Sequence, residues 1–418
     1  MPRLSVGIAG AGPAGLSAAL FLARDGHRVT LFERFDAPHP VGSGLMLQPT
    51  GLAVLAGLGL AERIMGLGRR IERLFGRVAP SNRIILDVNY RRLGSGRFCL
   101  AVHRAALFDP LFAAVQHEPV PIATGETVTA IDRLGDGRPV LITSTGARHG
   151  PFDLVVDALG ARSPLGSCFG GGARRDFDYG ALWATLPWPA RKFSEDALEQ
   201  RYRKANVMAG VLPIGRRPHD GAEAAAFFWS IKPSDYERWR ARGLDAWKAD
   251  VRSLWPETSP LLDSIADADQ LTLARYAHHT LARPAAERLV AIGDAAHATS
   301  PQLGQGANMA LLDARALTLA LREADDVADA LAAYVRMRRW HIRLYQYLSA
   351  LFTPFYQSDS RVLPVLRDWM LAPATRLPLA RTLVAATIAG IVVDPRKTLR
   401  LDEPPDDLAG APLAADPF

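Results

Sequence analysis

The chain has 418 residues, 49% hydrophobic and 22% charged, which is ordinary for a globular protein and enough for two domains with cores of their own. Its formal charge of +6 comes mostly from scattered arginines interleaved with acids, and with no base-stacking or groove-reading motif beside them it argues against a nucleic-acid partner. Cys99 and Cys168 are the only cysteines and lie outside any CxxC or metal spacing, which argues against a disulfide framework and a structural zinc site.

Residues 5–34, SVGIAGAGPAGLSAALFLARDGHRVTLFER, read as strand, glycine turn, helix and second strand in close succession. In this dinucleotide-binding pattern Gly10 permits the tight turn, Gly12 lets the backbone approach a pyrophosphate, and Gly15 allows helix to pack on strand. Pro13 and Ala14 open the helix, Pro13 where its missing N–H costs nothing. Gly26 ends the helix. Glu33, next to Arg34, follows about twenty residues after the turn, the place for a carboxylate that accepts from a ribose.

Residues 71–92 read as two strands joined by a turn at 80–82. Further strand candidates lie in YGALWATLPWP, QRYRKANVMAGVLPIG and AAAFFWSIKPSD, and together these segments predict an antiparallel sheet. Alternation within it nominates Trp183, Tyr202, Met208, Phe227 and Trp229 as a substrate wall, although an aromatic row on a strand equally suits a core. Arg201, Arg203 and His219 are available for a phenolate or carboxylate. The stretch from Pro233 to Pro256 reads as helical.

Residues 287–314, ERLVAIGDAAHATSPQLGQGANMALLDA, form an apolar strand ending at Gly293 and Asp294, then a loop with Pro301, then a helix entered through Gly304, Gly306, Ala307 and Asn308. An acid at the carboxyl end of a strand suits a polyol chain, and a helix N-terminus offers N–H groups and a positive dipole end to developing negative charge. Reduced flavin carries such charge around N1 and O2, so the pattern favours FAD over NAD. His297 in this loop is a candidate base or, more simply, a structural hydrogen-bonder. A second long helix is expected from residue 327 to about 351. Its basic amphipathic pattern, with the apolar run that follows, suits either a cap on the FAD domain or a weak contact with a membrane surface. The apolar run at 383–393 is too short to span a bilayer. The Pro-rich, acidic stretch 401–418 reads as a flexible tail.

GAGPAG…ER and GDAAHATSPQLGQGANMALLDA together resemble the FAD-dependent aromatic hydroxylases, the single-component group related to p-hydroxybenzoate hydroxylase and the ubiquinone-biosynthesis hydroxylases. GSGLMLQPTGLAVLAGLGL at 42–60 and VHRAALFDPL at 102–111 add two matches in the same order, and the similarity runs from residue 4 to about 395. The resemblance implies an α/β fold: a Rossmann-like FAD-binding domain of the GR2 type, interrupted by an antiparallel β-sheet substrate domain, plus C-terminal helices. The expected boundaries are 1–70, 97–175 and 275–335 for the FAD-binding domain, 71–96 and 176–274 for the substrate domain, and 336–400 for the helical region.

The same resemblance implies that Arg104 reaches back to non-covalently bound FAD, that NAD(P)H is a transient reductant, and that a flavin C4a-hydroperoxide transfers one oxygen atom from O2 to an aromatic or other electron-rich small molecule. Pro301 and the 304–308 backbone would flank the isoalloxazine, and Asp294 would hold the ribitol. One element departs from the family. Where a GADGARS-like stretch is usual, DLVVDALGARSPLG keeps Gly160, Arg162 and Ser163 but has Leu159 in place of the acid. Asp157, two residues earlier on the same strand face, is a candidate substitute. Leu159 brings NAD(P)H use into question and keeps an oxidase, dehydrogenase or reductase reading open. A flavin halogenase fits less well, because WATLPWP is not its WxWxIP signature, and the intact 294–308 loop argues against a non-catalytic flavoprotein. With no leader-like run before the first strand, the expected location is the cytoplasm.

Overall fold

The computed structural model describes residues 2–39, 42–94, 96–172 and 174–402. Most of the expected tail, 403–418, lies outside them. Ser5–Ala9 is apolar on both faces and sits near the centre of a six-stranded sheet, between Leu154–Asp157 and Arg28–Phe32 and parallel to both. Leu289–Ala291 extends the sheet beyond Leu154–Asp157, and Ile122–Ala123 extends it beyond Arg28–Phe32. Near-continuous apolar strands of this kind are buried on both faces, here by helices on one side and on the other by Val128 and Leu141 of a separate three-stranded sheet together with Phe152, Leu165 and Phe169. The helices Pro13–Arg24, Arg104–Gln116 and Gly306–Glu323 pack together over one face, burying Leu16, Leu20, Leu107, Leu111, Leu311 and Leu317. All the parallel strands therefore send their carboxyl ends toward one edge, where ligands of open α/β sheets bind.

A seven-stranded sheet forms the second layer, in the order Thr272–Ala274, Gly180–Pro187, Glu223–Ile231, Val207–Arg216, Ala197–Arg203, Arg73–Val78, Arg83–Asn89. It is antiparallel except at one place: Ala197–Arg203 runs parallel to Arg73–Val78. The expected antiparallel sheet carries this one parallel pair. The two-strand unit from residues 73–89 reaches the sheet through a long excursion in sequence, and only such a crossover permits parallel pairing. The faces of this sheet have different partners. Trp183, Phe228 and Leu212 share a core with Leu303 and Met309 beside the 301–308 loop and with the C-terminal helices. Leu182, Phe227 and Trp229 pack instead with Trp247, Val251 and Leu254. The helical stretch that supplies these last residues breaks at Gly243, whose φ of +89° disfavours other residues, into Tyr236–Arg242 and Leu244–Leu254.

Candidate functional site

The glycine turn folds as its residue types require. Gly10 has φ +104°, and a Cβ there would lie 2.5 Å from the Ala158 carbonyl oxygen. A Cβ on Gly15 would lie 1.9 Å from the Gly10 oxygen, so helix and turn touch only because both residues lack one. Gly12 differs, because its Cβ position opens onto space with no heavy atom within 4 Å. It caps the helix Pro13–Arg24 without a side-chain hydrogen bond, leaving the positive end of the helix facing that space. Glu33 reaches the turn from the neighbouring strand, where its carboxylate accepts from the Ala11 N–H at 2.9 Å and the Phe35 N–H at 3.2 Å. Each oxygen keeps a further lone pair for a ribose hydroxyl. Arg34 is exposed and lies over the Phe35 ring.

The second motif meets the first. A Cβ on Gly293 would contact Ala14 at 3.2 Å and Ala310 at 3.3 Å, so this residue lies between the starts of two helices. The helix Gly306–Glu323 also begins without a side-chain cap, and the Cβ position of Gly306 is 3.9 Å from Asp294 Oδ1. Arg104 lies across Gly42, its Nε 2.8 Å from where a Cβ would be. Asp294 and Arg104 are exposed to solvent, yet protein surrounds both, which places them on the walls of an open cleft. Burial pushes the Asp294 carboxyl up, opposed by His297 and Arg104. Burial lowers the Arg104 guanidinium, opposed by Asp294 and then Tyr276. Tyr276 accepts a hydrogen bond from Trp183 Nε1 at 2.7 Å, and burial raises its phenol to about 12. A line of interacting groups thus runs from the sheet, through Trp183, Tyr276 and Arg104, to Asp294.

These surroundings fit FAD. The cradle before Gly12 would be filled by any side chain there, two uncapped helix ends suit a pyrophosphate and the anionic edge of reduced flavin, and Arg104 with Asp294 supplies opposite charges between them. Pro301, exposed, starts a short turn ending at Gly304, which has φ +61° and where a Cβ would lie 2.9 Å from Met46. Gly160, at φ +80°, has open space beside it.

Several nominated side chains are committed elsewhere. Asn308 is fully buried: its Oδ1 accepts from Gln48 N–H at 2.7 Å, and its Nδ2 donates to the Met46 and Gly304 carbonyls. It shapes the loop, leaving only the backbone of that turn for a ligand. His297 is also buried, with Nε2 2.5 Å from Asp313 Oδ2, while Arg338 Nε donates to Asp313 Oδ1 at 2.7 Å. The candidate base is therefore corrected to a structural group, since no cleft reaches its ring. Phe227 and Trp229 are corrected likewise, because they pack edge-on to Trp247 on the far face of the sheet. Tyr202 and Met208 lie on the near face but are buried, Tyr202 against Tyr356 with its hydroxyl donating to Gln200. Arg201 stacks over Trp255 on the far face, and Arg203 and His219 are exposed. Of the five nominated aromatic and sulfur side chains, only Trp183 touches the line of cleft residues. The residues missed were Phe228, which pairs with Trp183 at 4.8 Å between ring centroids, and Tyr276. The pairing register of Trp183 with Phe228 is the signal that would have found the first.

Leu159 packs on the small core around Phe32, Leu165 and Phe169. Asp157 does not substitute for the acid missing at 159. It is buried, and its oxygens accept from Leu159 N–H at 3.0 Å and Ser163 Oγ at 2.6 Å, fixing the turn from within. Burial raises its carboxyl to about 6, outweighing those two hydrogen bonds. A raised value means that the stabilisation is complete below the unfolded-state pKa and is lost as pH rises through about 6. Relative to Asp157→Asn, the wild type should lose about 2 kcal/mol of stability between pH 4 and pH 7. Urea unfolding at both pH values tests this, and equal pH slopes in the two proteins would refute the assignment.

Residues 3–344 match the family model described as FAD binding domain. A kynurenine 3-monooxygenase of Salinispora arenicola is 30% identical over 368 residues, covering 81% of this chain and 77% of that one. A putative 2-heptyl-3-hydroxy-4(1H)-quinolone synthase of Rhodococcus erythropolis is 28% identical, covering 82% of this chain and 86% of the relative. Among solved structures, the HpxO protein of Klebsiella pneumoniae, complexed with FAD and uric acid, superposes with a TM-score of 0.77 at 20% identity, over 92% of this chain and 97% of that one.

Proposed function

Because this chain belongs to the FAD-dependent aromatic hydroxylase family, whose FAD-binding model it matches over residues 3–344, we propose that it is an NAD(P)H-dependent monooxygenase that inserts one atom of O2 into a planar aromatic or similarly electron-rich small molecule. When bound, FAD supplies the redox chemistry, taking a hydride from NAD(P)H and activating oxygen. The protein binds, orients and excludes water. Gly12 and the helix end behind it receive the pyrophosphate, Glu33 the ribose, Asp294 the ribitol, and the Gly306 end of the second helix the flavin edge where negative charge develops.

The observation carrying this reading is the cleft itself: opposite charges at Arg104 and Asp294 between two uncapped helix ends, with Trp183 hydrogen-bonded to Tyr276 on the sheet side. Flat rings pack well against such aromatic walls, and the Tyr276 hydroxyl offers a polar contact to a phenol or carboxylate. The names of the relatives, a kynurenine monooxygenase and a quinolone synthase, support a ring of this kind.

Asp294→Ala removes charge-assisted hydrogen bonds to the cofactor without opening a core, so FAD affinity should fall by about 1–3 kcal/mol, roughly fivefold to over a hundredfold, with the unfolding temperature of the FAD-free protein unchanged. Equilibrium dialysis against FAD reads the first and calorimetry the second. The function is tested by anaerobic stopped-flow mixing with NADH or NADPH. The expected result is loss of the oxidised-flavin absorbance, faster with a matching aromatic compound than without. Leu159 favours one alternative, an oxidase or dehydrogenase reduced by its own substrate. Failure of both nucleotides across the whole panel would favour that alternative.

A further inference from the structure

Residues 363–374 form one continuous helical stretch whose polarity is inverted. Val362, Val365, Leu366, Trp369 and Met370 recur at the spacing of a core-facing stripe, yet this stripe faces solvent, with Val362, Trp369 and Met370 exposed by 63%, 69% and 63%. The charged residue Arg367 points inward. It is 1% exposed, donates to the Phe355 and Lys204 carbonyls at 2.8 and 3.0 Å, and lies over the rings of Tyr202 and Tyr356. The arginine is held too well for the helix to roll over, so the apolar stripe must look outward. Leu377, Leu379 and Leu383 continue the surface along the next helix, exposed by 63%, 83% and 56%. So many large apolar side chains in one short segment mark a contact surface.

The charges around it indicate what covers it. Arg361 and Arg376 flank the stripe and Arg381 follows, and among the described residues none of the three has an ion-pair partner. The nearby acids are engaged: Asp359 with Lys232, and Asp368 with Arg367 and Arg83. Two copies meeting through this face about a two-fold axis would set arginine against arginine with no free acid between them. An anionic bilayer instead accepts both parts, the leucines and tryptophan at the acyl boundary and the arginines among the phosphates. Among the described residues no helix is long and apolar enough to cross a membrane, so the contact is peripheral.

We infer that residues 361–383 are a membrane-surface docking face that seats this enzyme on anionic phospholipid. The test is cosedimentation of the FAD-loaded full chain with vesicles of phosphatidylcholine alone or mixed with phosphatidylglycerol. Two variants accompany it, Leu377→Ser/Leu379→Ser/Leu383→Ser and Arg361→Gln/Arg376→Gln, all at surface positions outside the cleft. Analytical ultracentrifugation of each protein without lipid runs in parallel. The expected result is binding that needs phosphatidylglycerol, weakens with salt, and falls roughly tenfold or more in both variants while flavin content stays constant. Absence of wild-type binding, or binding equal to wild type in the leucine variant, overturns the inference. So does a dimer that the leucine variant dissociates when no vesicle binding occurs, which would assign the face to a second copy of the chain.

Discussion

Asp313→Asn is expected to lower the unfolding free energy by about 3–5 kcal/mol, the cost of leaving a buried charge without its counter-ion. Asp313 is fully buried, and its two oxygens hold Arg338 at 2.7 Å, His297 at 2.5 Å and the Gly293 N–H at 2.8 Å. Burial alone would raise this carboxyl. His297 and Arg338 outweigh burial and hold it well below the usual carboxylate range. The stabilisation is therefore complete above the unfolded-state value and disappears as pH falls toward the native one, so the variant should be less sensitive to acid than the wild type. Arg338 also acts on His341, whose imidazole burial and that neighbouring charge push down to about 3, keeping it neutral while its Nε2 lies 3.1 Å from the Gly390 carbonyl. Because Asp313 fixes Gly293, the variant should also bind FAD more weakly. Guanidinium unfolding beside Asp132→Asn, which breaks an exposed pair with Arg148, is the comparison. A loss no larger than in that surface variant would contradict the account.

Gly12→Val should abolish flavin retention while leaving the fold intact. The Cβ position of Gly12 faces open space and its φ of −73° suits any residue, so valine costs the FAD-free protein little beyond a weaker helix cap. With FAD present, the added carbons occupy the pyrophosphate position, a clash worth about 3 kcal/mol or more, over a hundredfold in affinity. Gly15→Ala is the contrasting case. Its Cβ would lie 1.9 Å from a backbone oxygen, so it should destabilise the protein with or without FAD. The absorbance ratio at flavin and protein wavelengths, together with melting of the FAD-free proteins, separates the two effects. Normal flavin content in Gly12→Val would remove the cofactor assignment from this turn.

The parts of this molecule that were legible in sequence are those where local chemistry forces one geometry. Gly10 and Gly15 admit no side chain, the helix starts at Pro13 and stops at Gly26, and Gly293 and Gly304 take positive φ, so both cofactor motifs could be placed in advance. Facing directions were less legible. In the run Phe227, Phe228, Trp229 alternation says only that neighbours oppose one another, and the register that puts Phe228 beside Trp183 is set by a strand some forty residues away. Asn308 and His297 sit in the expected loop, but their partners, Gln48 and Asp313, come from other elements. Asp157 shows the same limit. Its position was apparent, while its commitment to the Leu159 and Ser163 turn depends on three-dimensional packing.

The inverted helix at 363–374 was invisible for a related reason. Apolar residues at this spacing ordinarily mark a buried face, and only the anchorage of Arg367 by the Phe355 and Lys204 carbonyls turns this one outward. A periodic pattern reports which residues share a side, and the tertiary contacts decide which side is covered.

The most direct measurement of the central claim is isotopic. The FAD-loaded enzyme is supplied with NADH or NADPH, a panel of phenols, aminobenzoates and quinolones, and 18O2, and the products are weighed by mass spectrometry. Oxygenation predicts at least one product carrying a single 18O atom, with one nucleotide oxidised for each. Products that carry no label, or carry oxygen from water while hydrogen peroxide accumulates, would contradict it and assign the cleft to an oxidase or dehydrogenase.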